Sequence, residues 1–137
     1  LHGSSRNTAF KSAITDYAHR LNSSSVTLVE HSDKTSAEEY LKQISRHAGE
    51  EQITLLMEAG EETDSIAFGE LYAAWRLSRS DTHLVVGPSD GFGEASGDYP
   101  RLSLSKMTMQ HELAAVVLLE QLYRAAAMHE GKPYHRG

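Results

Sequence analysis

Residues 104–137, LSKMTMQHELAAVVLLEQLYRAAAMHEGKPYHRG, join a small-residue turn, an apolar helical run and a cationic tail. Apolar spacing from Gln110 to His129 predicts a helix. Seven consecutive apolar residues, Leu113 to Leu119, imply burial almost all round at its start, against the core or a second subunit, while Glu120, Gln121 and Arg124 form a polar stripe further on. On its own, Arg124 four residues after Glu120 reads as an exposed ion pair worth about 0.3 to 0.5 kcal/mol. The tail is chemically denser. Tyr134, His135 and Arg136, following Gly131 and Pro133, bring together a stacking ring, a titratable imidazole and a bidentate phosphate donor, with a frayed terminus as the alternative. Just upstream, LSLSKMTM places hydroxyl residues and a lysine between a short strand, Leu102 to Ser105, and the helix. Backbone groups in such a turn lack ladder partners and are free to bind a ligand.

Working outward toward the N-terminus, Asn7 or Thr8 caps a helix running to about Leu21, with Phe10, Ile14, Tyr17, Ala18 and Leu21 at helical spacing. Val26 to Val29 reads as a short strand. Ser36 with Glu39 forms a capping box opening a helix to about Ala48. Ile53 to Met57 is the next strand, closed by Ala59-Gly60, and a helix begins at Ser65 with Phe68, Leu71, Tyr72 and Trp75 on one face. A strand over Thr82 to Val86 follows. Strands alternating with helices of ten to fifteen residues require crossovers between parallel neighbours, so the class is α/β with a mainly parallel sheet.

The chain has 137 residues, enough for one domain, and no cysteine, which excludes disulfides and thiolate metal sites and fits a cytoplasmic protein. No apolar run is long enough to cross a bilayer, so no membrane role is expected. The net charge is -6, but its distribution is uneven: residues 1–103 hold 9 basic and 16 acidic side chains, and residues 104–137 hold 4 and 3. That is a weak electrostatic footprint for a nucleic acid, confined to the C-terminal end.

After the strand ending at Val86, GPSDGFGEASG (87–97) puts small residues where open α/β sheets bind ligands, although it matches neither GxGxxG nor a Gly-Lys-Ser/Thr phosphate loop. A plain surface loop is the competing reading. The eight histidines show no HxxxH or HxH spacing, so no metal is expected. No serine sits in a G-x-S-x-G elbow.

LSLSKMTMQHEL, VVLLEQLYRAAAM and the closing PYHRG together resemble the end of the large-subunit ribosomal RNA methyltransferase H family, a branch of the SPOUT class. Compatible spacing extends upstream through Val86-Gly87, the helix from Ser65 and ITLLMEAG; the first fifty residues agree as pattern only. The resemblance implies one SPOUT domain over 1–137, a mainly parallel sheet flanked by helices with a C-terminal trefoil knot, and a homodimer. It implies methyl transfer from S-adenosylmethionine to N3 of a pseudouridine in large-subunit rRNA, with the ribosome as partner. Leu56, Gly87 and Leu104, Ser105, Lys106, Met107, Thr108 and Met109 would then hold the methyl donor. His135 would handle the proton, Arg124 and Arg136 would hold phosphate or developing charge, and Tyr134 would orient the base.

The family's pattern has Gly-Gly where Gly87-Pro88 stands, a proline where Gln110 stands, an arginine where Ala115 stands, and a full first strand ending in Gly where Leu1-His2-Gly3 stands. That first strand is therefore expected to be truncated here. The loss of the arginine is expected to weaken RNA affinity. The second reading is a non-catalytic ribosome-binding or assembly protein on the same fold.

Overall fold

A computed structural model describes residues 1–136; Gly137, the last letter of PYHRG, lies outside them. In chain order the elements are α1 (Thr8–Arg20), α2 (Ala37–Ser45), β1 (Ile53–Glu62), α3 (Ser65–Leu77), β2 (His83–Val86), β3 (Arg101–Ser103) and α4 (His111–His129). The three strands form a parallel sheet in the order β2-β1-β3, the α/β class read from the sequence. Four helices start at a side-chain cap. Asn7, Ser36, Asp64 and Gln110 each accept a hydrogen bond from a first-turn amide that has no partner within its helix. Where the family's pattern has a proline before this helix, the chain thus has a capping glutamine.

Alternation along β1 divides the interior in two. Ile53 and Leu55 point to one face, where Tyr40, Leu41 and Ile44 of α2 pack with Val85 and Phe92. Leu56 turns to the other face, where α1, α3 and α4 contribute Ile14, Phe68, Tyr72, Ala115, Leu118, Leu119 and Leu122. Each fully buried Leu or Ile is worth about 1.5 to 3 kcal/mol, so the two clusters hold helices on both faces of a narrow sheet. α4 is not buried all round as its apolar run implied. Leu113 is 39% exposed and Val116 and Val117 are half-buried, because the sheet and the neighbouring helices cover only one side.

Two further expectations change. Val26 to Val29 is extended and keeps a strand's alternation, with Val26 and Leu28 half-buried and Thr27 and Val29 exposed, but it belongs to no ladder. A groove of about 590 Å³ separates it from β2, and its chain pairs only further on, where Leu1 and Gly3 bond to Val29 and His31. The second change is that β1 does not stop before Gly60. Its pairing with Leu102 of β3 breaks after Leu56 and resumes at Glu61. The strand runs through because Gly60 presses on the β3 backbone: a Cβ there would lie 2.7 Å from the carbonyl carbon and amide nitrogen of Leu102.

Gly60→Ala is therefore expected to cost about 1 to 3 kcal/mol, the usual penalty of overpacking, measured by urea unfolding.

Candidate functional site

Leu56 pairs with Val86 of β2 on one side and Leu102 of β3 on the other. Leu56 is therefore level with the carboxyl ends of β2 and β3, beside which Gly87 and Leu104 follow, while β1 itself runs on to Glu62; open α/β sheets bind ligands at such carboxyl ends. Three segments far apart in sequence are brought into one place. Gly87 has a packing reason as well as an access reason, since a Cβ would lie 2.8 Å from the ring of buried Phe92. Beside it the Tyr40 hydroxyl donates to the Val86 carbonyl at 2.9 Å, and Pro88 closes a turn by accepting from the Gly91 amide.

The turn from Leu104 to Met109 belongs to no helix or ladder. Buried Ser103 donates its hydroxyl to the Ser105 carbonyl, and the Ser105 hydroxyl accepts from the Met107 amide. Thr108 donates to Glu58 at 2.9 Å, and Lys106 lies 3.0 Å from Glu62, so the far half of β1 braces the turn. Hydrogen bonding by the Glu58 backbone, and then by Thr108, holds the Glu58 carboxyl below the ordinary carboxylate range. Met107 is 78% exposed over this edge.

A second cluster sits on the polar stripe of α4. Arg124 pairs with Glu120 at 2.5 Å and, through its other terminal nitrogen, donates to His135 Nδ1 at 3.1 Å. Tyr134 donates to the same Glu120 oxygen at 3.2 Å and lies under the Arg124 guanidinium, 4.9 Å from ring centre to carbon. The exposed ion pair expected for Arg124 is thus replaced by a shielded one, with side chains 23% and 20% exposed.

Nor does the tail fray after Gly131. With φ at +74°, Gly131 closes a Schellman cap in which the Lys132 amide donates to the Ala127 carbonyl, turning Tyr134 and His135 back onto the helix. Arg136 stands exposed beyond them. Burial, then hydrogen bonding to Tyr17, then the Glu120 charge push the Tyr134 hydroxyl up to about 12. It remains a neutral donor.

The sequence reading missed neighbours of this cluster. Tyr17, counted as an apolar position of α1, and Tyr123 flank the Arg20 guanidinium at 5.5 Å each, and Tyr123 meets Tyr134 edge-on at 4.8 Å. The available signal was Tyr17 with Arg20 one helical turn later. Ala115, where the family's pattern has an arginine, is 2% exposed within the core.

The groove beside Val26 to Val29 is lined by none of the candidate site residues. The converging polar groups weigh more than its volume, because orientation and charge come from them. Among the described residues no group of three acidic or histidine side chains is placed to hold a metal, and no helix is long and apolar enough to cross a membrane.

Replacing Tyr134 by Phe is expected to remove one phenol titrating near 12 from an ultraviolet tyrosinate titration. The unfolded phenol ionises near 10, so this group contributes stability below that value and loses it as pH rises from 10 to 12. The variant's stability should accordingly fall less over that interval.

Comparison with known proteins gives the family. A family profile described as "Predicted SPOUT methyltransferase" matches residues 1–135. The ribosomal RNA large subunit methyltransferase H of Anaeromyxobacter sp. (strain Fw109-5) is 44% identical over 88 residues, 63% of this chain and 58% of that protein. The protein of the same description from Synechococcus sp. (strain RCC307) is 38% identical over 111 residues, 80% of this chain and 74% of the relative. The matched stretch thus spans 58% of the length of the Anaeromyxobacter relatives. With the profile running from the first described strand contacts to His135, this chain belongs to the SPOUT methyltransferase family.

Proposed function

We propose that this chain is an S-adenosylmethionine-dependent methyltransferase acting on N3 of a pseudouridine in large-subunit ribosomal RNA, as one SPOUT domain working as a homodimer in the cytoplasm. The turn around residues 87–109 would be tied as a trefoil knot. The observation that carries the reading is the pairing of a small-residue cradle at one end of α4 with the Glu120, Arg124, Tyr134 and His135 cluster near the other, in a chain of this family.

The cradle suits the cofactor chemically. Leu56, Gly87 and Leu104 to Met109 offer apolar contact and backbone donors and acceptors outside any ladder, Gly87 leaves room at the strand end, and Glu58 and Glu62 lie near for a sulfonium charge. The cofactor supplies an electrophilic methyl carbon. The protein's own part is positioning: Arg136 and Arg20 hold phosphate, Tyr134 and Tyr123 offer ring edges and faces to the base, and Arg124 meets charge that develops on it.

The distance between the two ends argues for two subunits. His111 and Arg124 are thirteen residues apart on α4, about 20 Å along its axis at 1.5 Å per residue. Reacting groups must come within about 3 to 3.5 Å, so the cluster of one subunit would serve the cradle of another. The partly exposed Leu113, Val116 and Val117 on α4 offer an apolar surface for that contact.

Isothermal titration with S-adenosylmethionine should show micromolar binding, and labelled methyl should pass to large ribosomal subunits. Arg124→Ala should lower transfer by about a hundredfold or more while leaving cofactor binding intact. Absence of cofactor binding by folded protein would move the assignment to a non-catalytic ribosome-binding or assembly protein, a reading that Pro88 favours because it removes one backbone donor from the cradle.

A further inference from the structure

The contact between Arg124 and His135 determines which nitrogen of the imidazole carries a proton. A guanidinium has only donors, so Nδ1, 3.1 Å from Arg124, is held as an acceptor. The proton of the neutral ring then resides on Nε2, the nitrogen turned away from the protein contact. Arg124 is in turn fixed by Glu120, whose Oε1 takes both the 2.5 Å bond from Arg124 and the 3.2 Å bond from Tyr134, while Oε2 accepts from Gln121 at 2.8 Å. The chain of bonds runs Glu120 to Arg124 to His135. All three side chains are partly or largely withdrawn from solvent, which limits competition from water.

We propose that Glu120 is a positioning residue that, through Arg124, sets His135 as the Nε2–H tautomer, so that His135 meets the substrate base as a hydrogen-bond donor to a ring carbonyl and not as the base that removes the N3 proton. This rests on the methyltransferase reading for its substrate. A ring nitrogen flanked by two carbonyls spreads the negative charge of its deprotonated form onto both oxygens, and a donor at either oxygen makes loss of the N3 proton easier.

No other member of the cluster takes that proton: Glu120 already accepts from Arg124 and Tyr134 through one oxygen and from Gln121 through the other. Arg124 is a cation whose bond to Glu120 raises it further, and Tyr134 is a neutral phenol already donating to Glu120. The proton therefore leaves to bulk water. As the N3 lone pair forms its bond to the methyl carbon, the carbon–sulfur bond breaks and its electron pair stays on sulfur, yielding a neutral thioether.

Two-bond proton–nitrogen NMR of ring-labelled protein tests the first half without any substrate. Wild type should show the Nε2–H pattern for His135, and Glu120→Ala and Arg124→Ala should mix in the Nδ1–H form. Glu120→Gln, which keeps an acceptor for Arg124, should retain more of the wild-type pattern than the alanine. An Nδ1–H ring in wild type overturns the inference. A variant lost to misfolding leaves the wild-type spectrum to decide.

Methyl transfer to large subunits tests the second half. His135→Gln, whose amide N–H replaces the donor, should stay within about tenfold of wild type, whereas His135→Ala should lose about a hundredfold or more. The wild-type rate should climb with pH with no limb that His135→Gln abolishes. A glutamine variant as impaired as the alanine, or such a limb, overturns the donor role. Wild type that transfers no methyl but shows the Nε2–H ring defeats the functional reading alone.

Discussion

Leu56 is the residue on which the architecture turns, because it is paired on both sides at once. Its partners Val86 and Leu102 fix the relative height of three parallel strands, and a slip of one residue in either ladder would send the buried side chains of β1 to the opposite faces. The same pairing sets Leu56 level with the strand ends that precede Gly87 and Leu104. Register and the proposed ligand edge are therefore set together, and α4 follows from them: it starts after Gln110, lays Ala115, Leu118, Leu119 and Leu122 on the core, and carries its polar stripe elsewhere.

Much of this was legible in the chain. The apolar run from Ile53 to Met57, the helical spacing in α1 and α3, and the caps at Asn7 and Ser36 reflect local physics that a sequence states directly. Val26 to Val29 shows the limit. It has a strand's composition and alternation, but a ladder needs a neighbour, and whether one lies within bonding distance is a property of the whole fold. The passage of β1 through Gly60 was likewise hidden, since a glycine marks a stop or a close approach with the same letter.

The site divides in the same way. Small residues after the strands, and a Tyr-His-Arg tail, are types whose chemistry is visible one by one. Their grouping is not. Glu120 looked like half of a surface pair until the Schellman cap at Gly131 returned the tail to the helix and gave its carboxylate a further donor in Tyr134. Ala115 lies in the core, a burial that its small side chain alone does not announce. Which way a small or polar residue faces around a helix axis is not settled by its type.

Phe92 lies in the second apolar cluster with Tyr40, Leu41 and Val85, and its ring also occupies the space that a side chain at position 87 would need. The floor of the cradle and the packing of α2 are thus opposite sides of a single aromatic ring. For the cofactor proposed at this edge, occupancy and cohesion of the cluster would be linked quantities: whatever presses on Gly87 would be felt by α2, and a loosening of α2 would return as weaker retention at the edge. The proposed binding surface would have no separate foundation, its affinity being one expression of how tightly the far face of the sheet is packed.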